Sequence, residues 1–176
     1  LGTNNPGEIA DLCKIADPNY GLITNIGKEH LEGFGTLEAV AKEESELYHH
    51  LLQNNGTAFI NTDDEWLTRM SRGLEHKVNF TKTACEIKSL VPTIAFTYKS
   101  VDFTSPLMGD YNLDNILTAV AIGEHLDVGL KSIRDGIAEY QPDNNRSQLV
   151  QKESNTILLD AYNANPSSMQ VAISNF

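Results

Sequence analysis

The sequence predicts a layered α/β fold, with a mostly parallel sheet flanked by helices and a small antiparallel extension. Three observations predict it. Apolar residues at helical spacing alternate along the chain with short apolar runs that are typical of buried strands. Polar turn residues separate these segments. Between His76 and Tyr98 the apolar period changes to two, which favours short strands at an antiparallel edge.

The first helix and strand are marked by their boundaries. Asn5 is the predicted N-cap, Pro6 is the first helical residue, and Glu8 lies three residues after the cap. A proline at position 18 ends the helix. The apolar run from 20 to 26 then predicts a buried strand. A helix followed at once by a strand is typical of an α/β layer.

The later elements follow the same rules. Helices are predicted over 37–53 with Thr36 as N-cap, and over 63–70, 111–126 and 130–140. Strands are predicted over 57–60 and 156–160, and Asn165-Pro166 begins a last helix. The polar segment 141–145 is the predicted linker. We therefore predict one domain over 1–147 and the first βα unit of a second over 148–176. Because the sequence starts without Met and ends within an apparent helix, we expect both domains to be truncated.

Composition limits the classes of function. The formal net charge of −11 lacks the basic field that nonspecific nucleic-acid binding requires. No run reaches the roughly 18 apolar residues of a membrane span. Two cysteines are too few for a disulfide framework, and Cys13, on the apolar face of the first helix, is predicted to be a small core residue. Cys85 is predicted in a strand. These features suit a cytoplasmic globular protein.

Two candidate metal ligands lie in the first half of the chain. His30 comes soon after the carboxyl end of a predicted strand, where ligands bind in open α/β sheets. On position alone, a surface-loop histidine is the simpler interpretation. Glu44 lies on the apolar stripe of its helix, and a buried carboxylate is costly unless it is paired or bound to a metal. Its neighbours Glu43 and Glu46 are predicted to be solvated.

Two polar clusters lie in the second half. Asn112 and Asn115, at spacing i and i+3 near a helix start, both present carboxamides, which suit the edge of a nucleotide base. Simple N-capping explains one of them but not both. Arg146 in the linker is suited to clamp a phosphate. Asp160 ends a strand directly before a helix N-terminus, a favourable place for hydroxyls and phosphates. A polar interdomain hinge is the alternative for this cluster.

These segments together resemble the Mur ligases. The resemblance covers nearly the whole chain. Four motifs carry it: 1–9 (LGTNNPGEI), 24–35 (TNIGKEHLEGFG), 144–148 (NNRSQ) and 160–166 (DAYNANP). The last two are the most specific. The motifs are most similar to the branch of the family that adds D-alanyl-D-alanine to UDP-N-acetylmuramoyl-tripeptide. The resemblance implies a central ATPase domain over 1–147 and the start of a Rossmann-like C-terminal domain.

The resemblance also implies roles for individual residues. It implicates His30 as a magnesium ligand, with Glu44 as a second, and both as catalytic. It implies ATP contacts for Asn112, Asn115, Arg146 and Asp160. It implies contacts with the acceptor substrate and the incoming dipeptide for Asn25, Tyr162, Asn163 and Asn165. The implied cofactors are ATP and Mg²⁺, and the implied enzyme is a cytoplasmic monomer with no nucleic-acid or membrane partner.

Three departures from the family pattern bear on activity. The Gly-Lys-Thr phosphate loop and a magnesium-binding glutamate, both expected before Leu1, are not in this sequence, so the fragment by itself is expected to be inactive. Glu44 stands where the family often has a lysine carried as a carbamate to hold a second magnesium. Glutamate supplies the same charge on a shorter arm, so Glu44 either replaces the carbamate or the second metal is lost.

The implied reaction is amide-bond formation through an acyl phosphate. ATP phosphorylates the terminal carboxylate of the tripeptide, and the amine of the dipeptide then displaces phosphate. Three alternatives stay open. The first is another amide ligase of the same superfamily, such as a folylpolyglutamate-type enzyme. The second is a catalytically inactive Mur-like binding module. A plain nucleotide-binding domain is the third alternative, and it leaves the segment 160–166 unexplained.

Overall fold

A computed structural model describes residues 2–27, 34–142 and 148–159, together with Met169 and Ile173. The chain forms two compact units, Leu1–Thr81 and Lys82–Phe176. The predicted domain boundary after residue 147 stays a prediction. Among the described residues, no helix is both long enough and apolar enough to cross a membrane.

The first unit alternates helices with parallel strands. In chain order its elements are α1 (Glu8–Ala16), β1 (Tyr20–Leu22), α2 (Leu37–Glu44), α3 (Glu46–Gln53), β2 (Thr57–Asn61), α4 (Glu65–Met70) and β3 (Lys77–Phe80). The strands form one sheet in the order β1-β2-β3, and both neighbouring pairs are parallel. This arrangement confirms the predicted α/β class. The strand predicted over 20–26 is shorter than expected, since only Tyr20–Leu22 pairs with β2.

The core of the first unit lies between the sheet and the two helices α1 and α3. Its buried members come from both layers: Ile9, Cys13, Ile23, Leu47, Tyr48, Leu51, Ala58, Ile60, Leu67 and Leu74. Cys13 is fully buried, which confirms its prediction as a core residue. Helix α3 packs against β1 and β2, and α1 packs against α3 and α2.

The N-terminus of α1 differs from the predicted cap. Gly7, with a φ of 91°, is the N-cap, and the helix begins at Glu8 rather than at Pro6. The Asn5 side chain makes no cap bond, because its amide donates to Oε1 of Glu8 at 2.7 Å. Oε2 of Glu8 accepts the backbone N–H groups of Asn4 at 2.7 Å and Asn5 at 3.1 Å. The carboxylate of Glu8 therefore holds the loop residues Asn4 and Asn5 against the start of α1.

Glu8 makes the stability of the first unit depend on pH. The backbone N–H of Asn4, then the side chain and backbone of Asn5, lower the pKa of Glu8 from 4.5 to about 2. A lowered pKa in the folded state contributes stability that is present above the unfolded pKa and is lost as the pH falls toward the folded one. We expect Glu8→Gln to destabilise the chain most above about pH 5, with a difference that shrinks toward pH 2. Urea unfolding at several pH values measures this. The control Glu75→Gln, at an exposed position, should show a difference from wild type in unfolding free energy that does not depend on pH. The same pH-independent difference in Glu8→Gln would contradict the prediction.

The helix predicted over 37–53 is two helices that meet at Ser45. Thr36 caps α2 as predicted, with its hydroxyl accepting the N–H of Ala39 at 3.1 Å. The Ser45 hydroxyl donates to the carbonyl of Lys42 at 2.6 Å. Serine hydroxyls that bond to a preceding carbonyl compete with the helical ladder and bend helices. This bond accounts for the break between α2 and α3.

The second unit contains the antiparallel extension and two helices. After a 3₁₀ turn at Lys82–Ala84 its elements are β4 (Cys85–Ser89), β5 (Ile94–Tyr98), β6 (Val101–Ser105), α5 (Asp110–His125), α6 (Leu130–Glu139), β7 (Gln148–Lys152) and β8 (Asn155–Leu159). Strands β4, β5 and β6 form an antiparallel sheet. The period of two over 76–98 predicts β4 and β5, but it is wrong for β3, which lies in the same range and pairs parallel with β2. Phe96 and Phe103 are paired across it and stack with ring centroids 4.9 Å apart. Helix α6 packs on β6 and on α5.

The last described strands form a hairpin. The strand predicted over 156–160 is present as β8, and it pairs antiparallel with β7, which the sequence pattern did not indicate. Strand β7 was missed because its short run at 148–152 mixes polar and apolar residues and follows a polar linker. Met169 and Ile173 have helical backbone. The proposed start at Asn165-Pro166 lies outside the described residues.

Candidate functional site

The carboxyl ends of the three parallel strands carry a set of polar residues. Asn25, exposed, follows β1. Asn61, the last residue of β2, is buried and accepts the N–H of Asp63 at 3.0 Å through its side-chain oxygen. Asp63 accepts the hydroxyl of Thr81, which follows β3, at 2.6 Å. Because the carboxyl ends of parallel strands meet at one edge of a sheet, this edge is where a ligand binds in such folds.

Asn61 and Asp63 are residues that the sequence reasoning missed. A polar run directly after a strand, here Asn61-Thr62-Asp63-Asp64, is the signal that identifies this edge. Asp64 accepts the N–H groups of Trp66 and Leu67 at 2.8 Å and 3.1 Å and so caps α4. Burial raises the pKa of Tyr48, and the negative charge of Asp64 raises it further, so the phenol stays neutral.

Glu44 borders a cleft beside β1, which is the outermost strand of its sheet among the residues that the structure describes. The cleft has a volume of about 210 Å³ and is lined by apolar groups of α1, β1 and α3 together with Glu44. Glu44 is only partly buried, since the carboxylate that is buried with Val40 and Ala41 on α2 is Glu43. Glu44 is the only acidic residue among those that line the cleft. Carboxylate oxygens are the ligands that Mg²⁺ prefers in proteins. Because the rest of the lining is apolar, the role of Glu44 as a metal ligand stays a prediction.

The expectation for Glu43 is wrong. Glu43 is 6% exposed, not solvated. One of its carboxylate oxygens accepts the N–H of Gly7 at 2.8 Å, and the other accepts that of Ile9 at 3.0 Å. These N–H groups belong to the start of α1, where the helix leaves donors unsatisfied and the helix dipole favours a negative charge. The positive end of α1 is thus neutralised from within the protein.

Asn112 and Asn115 occupy different environments on α5. Asn112 is 7% exposed, and its amide donates to the carbonyl of Met108 at 2.8 Å. Asn115 is exposed. Neither side chain caps the helix, because Gly109, with a φ of 87°, is the N-cap and makes the cap without a side-chain bond. The two carboxamides therefore do not form a matched pair, and Asn115 alone of the two faces solvent.

The start of α5 is held by an ion cluster. The ammonium of Lys82 lies 3.0 Å from the carboxylate of Asp114 and also contacts that of Asp110. Burial opposes the charge on Lys82, but hydrogen bonds to Asp110 and Asp114 outweigh it and raise its pKa. The cluster thus joins Lys82 to the first two turns of α5, next to Asn115.

The other predicted site residues lie outside the described residues: His30, Arg146, Asp160, Tyr162, Asn163 and Asn165. Within the described ranges, no three His, Cys, Asp or Glu side chains are grouped closely enough to hold a metal ion. The pairing of His30 with Glu44 therefore stays a prediction.

The sequence and the fold correspond to one class of protein. The family model of the Mur ligase middle domain matches residues 1–123. The chain belongs to this family, which confirms the resemblance that its motifs carry.

The most similar relatives indicate one branch of the family. The UDP-N-acetylmuramoyl-tripeptide--D-alanyl-D-alanine ligase of Escherichia coli (strain K12) is 35% identical over an alignment that covers 98% of this chain and 41% of the relative. The ligase of the same name from Bacillus subtilis (strain 168) is 28% identical, with 98% of this chain and 39% of the relative covered. The chain thus spans about two fifths of the length of these relatives.

Solved structures agree with the sequence relatives. A crystal structure of MurF from Acinetobacter baumannii superposes with a TM-score of 0.85 and 29% identity, covering 99% of this chain and 40% of that one. MurF ligase from Thermotoga maritima, solved in complex with ADP, superposes with a TM-score of 0.80 and 27% identity, covering 97% of this chain and 42% of that one. The predicted fold class is confirmed.

Proposed function

We propose that this chain is part of an ATP-dependent ligase that joins D-alanyl-D-alanine to UDP-N-acetylmuramoyl-tripeptide in the synthesis of peptidoglycan precursors. The observation that carries the proposal is the extent of the match to the Escherichia coli ligase of that name. Its alignment spans 98% of this chain. Similarity therefore extends past the family domain at 1–123 into the segment that contains Arg146 and Asp160.

We assign Asn115 to the adenine of ATP. Its carboxamide is exposed on α5, and it offers both a donor and an acceptor to the edge of the base. Asn112 supports the same site by holding the start of α5 through Met108. Arg146 and Asp160 complete the nucleotide site in this proposal. The ADP complex of the Thermotoga maritima relative supports nucleotide binding by this fold.

We assign Glu44 and His30 to magnesium. The partly buried carboxylate of Glu44 at the cleft beside β1 supports this assignment. Magnesium, when bound, offsets the repulsion between the anionic substrate carboxylate and the triphosphate. Asn25, Tyr162, Asn163 and Asn165 are assigned to the tripeptide and dipeptide substrates, as amide and phenol groups that pair with peptide groups.

The reaction consists of two displacements. An oxygen of the tripeptide carboxylate attacks the γ-phosphorus of ATP, which forms an acyl phosphate and releases ADP. The amine of D-alanyl-D-alanine then attacks the acyl carbon. The C–N bond forms, the C–O bond to phosphate breaks, phosphate leaves, and the amine loses its proton to solvent. Because both substrates and ATP are cytoplasmic metabolites, we place the enzyme in the cytoplasm, and we expect it to act as a monomer.

Phosphate release by the full-length protein tests the proposal. We expect release from ATP only when UDP-N-acetylmuramoyl-tripeptide and D-alanyl-D-alanine are both present, together with a product whose mass equals that of the joined substrates. Release with a different amino acid or peptide in place of the dipeptide would assign the chain to another ligase of the family. Binding of ADP without any release, from folded protein, would favour an inactive module.

A further inference from the structure

We infer that the carboxylate of Asp63 binds the ammonium group of the incoming dipeptide. The inference rests on the proposed function, because that function supplies the amine. An α-amino group with its usual pKa is largely protonated at neutral pH, so the dipeptide arrives with a positive charge at the end that reacts. The residues assigned to the substrates above are amides and a phenol, and none of them carries a charge that pairs with this ammonium.

Asp63 lies at the carboxyl edge of the parallel sheet and is held there by hydrogen bonds. It is exposed, and it follows closely after the end of β2. Its backbone N–H donates to Oδ1 of the buried Asn61 at 3.0 Å, and its carboxylate accepts the hydroxyl of Thr81 at 2.6 Å. Because Thr81 follows β3, these bonds fix Asp63 across the ends of two neighbouring strands. A carboxylate fixed in this way is preorganised at the edge where α/β sheets bind ligands.

A second polar group, the hydroxyl of Tyr48, lies beneath the same edge. Helix α3 runs opposite to the strands, since Leu51 accepts the N–H of Gly56, just before β2, at 2.8 Å. Tyr48 is almost one turn earlier on α3 and therefore nearer to the carboxyl ends. Helical side chains point toward the N-terminus of their helix, which carries the phenol further in that direction. The charge of Asp64 raises the pKa of Tyr48, as expected for a phenol close to this edge.

The hydroxyl of Tyr48 has no hydrogen-bond partner within the part of the chain that the structure describes. Tyr48 is 2% exposed, so bulk water does not supply one either. A buried hydroxyl without a partner costs free energy. Such a group, placed under a ligand-binding edge, indicates that its partner is a ligand or a water that the ligand orders. This observation is independent of Asp63 and points to the same site.

The charges of this edge suit a cation. Asp63 and Asp64 place two negative charges on consecutive residues, which repel phosphates and carboxylates. Among the described residues, no third acidic, histidine or cysteine side chain completes a group that could hold a metal ion. A single carboxylate is enough to bind an ammonium through a charge-assisted hydrogen bond. Because the nitrogen again becomes positively charged as the C–N bond forms, the same carboxylate also stabilises the transition state.

Steady-state phosphate release by the full-length protein tests the inference, with Asp63→Asn compared with Asp64→Asn. Each variant removes one negative charge from the same edge. Asparagine caps a helix as well as aspartate does, so Asp64→Asn keeps the cap of α4 and should keep the wild-type KM for D-alanyl-D-alanine. Asp63→Asn keeps an acceptor for Thr81 and loses the charge. We expect it to raise the KM for D-alanyl-D-alanine about 10-fold or more, with the KM for ATP unchanged.

A dipeptide without the charge identifies the group that Asp63 contacts. N-acetyl-D-alanyl-D-alanine has no ammonium, so it should inhibit wild type and Asp63→Asn with equal inhibition constants. Stronger inhibition of wild type would show that Asp63 contacts another part of the dipeptide and would overturn the inference. A wild-type KM for D-alanyl-D-alanine in folded Asp63→Asn, or equal rises in Asp63→Asn and Asp64→Asn, would overturn it as well.

Tyr48→Phe provides a test that does not depend on the folding of Asp63→Asn. It removes a hydroxyl that has no partner in the free protein, so the free energy of unfolding in urea should stay equal or rise. The KM for D-alanyl-D-alanine should rise all the same. If Asp63→Asn does not fold, a wild-type KM in Tyr48→Phe overturns the inference. Wild-type protein that releases no phosphate with both substrates would instead contradict the proposed function.

Discussion

Replacing Glu44 by alanine in the full-length enzyme should lower kcat/KM for ATP by about 100-fold or more, with little change in stability. Loss of groups that only support a metal ligand costs 10- to 100-fold, and loss of the ligand itself should cost at least as much. Glu44 is partly buried and borders the cleft beside β1. Its truncation removes a negative charge from this cleft and no large apolar group. Steady-state phosphate release over a range of Mg²⁺ concentrations measures the loss.

Two further variants give this prediction its controls. Glu38→Ala, at an exposed position of the same helix, should keep wild-type activity. Glu44→Lys restores the residue type that the family often carbamylates, so its activity should rise with added bicarbonate if Glu44 replaces the carbamate. Wild-type activity in Glu44→Ala would exclude Glu44 as a metal ligand and would leave the ligase assignment intact.

The largest loss of stability is expected from Leu51→Ala in the core of the first unit. Leu51 is fully buried on α3. Truncation of a buried leucine removes its transfer free energy and leaves a cavity, at a cost of about 2–5 kcal/mol. Urea unfolding followed by the fluorescence of Trp66, the single tryptophan of the chain, measures it. Leu52→Ala, the next residue and 48% exposed, should change stability by less than about 0.5 kcal/mol.

Gly21 provides a double-mutant test of the same contact. A Cβ at Gly21 would lie 2.6 Å from Cδ1 of Leu51 and 3.1 Å from the Leu47 methyl groups. Gly21→Ala alone should therefore destabilise the chain by about 1–3 kcal/mol. In the Leu51→Ala background the added methyl group enters the space that Leu51 vacated. The double variant should cost less than the sum of the single costs by about 0.5 kcal/mol or more. Strictly additive costs would show that Leu51 does not set the close approach of α3 to β1.

Much of the fold follows from local pattern. Most helices, the strands β2 and β8, the antiparallel strands β4 and β5 and the Thr36 cap were predictable, because periodicity and capping chemistry act over a few neighbouring residues. The parallel pairing of β3 with β2 was not, since the period of two does not distinguish a parallel from an antiparallel neighbour. The break at Ser45 was not, since a single serine is compatible with a continuous helix until its hydroxyl bonds to Lys42. The start of α1 was misplaced because Glu8, not Asn5, took the free donors of the loop.

For the candidate site too, some features follow from the sequence and others only from the tertiary structure. The sequence by itself determined the family, the α/β class and the segments where chemistry is concentrated, since these depend on residue types and their order. Only the tertiary structure decided that Glu43 is buried and that Asn112 and Asn115 lie in different environments. The partners of Glu43 are 34 and 36 residues away, and no local pattern contains them. Burial and pairing of a polar side chain depend on which distant segment packs against it, and packing is a property of the folded chain.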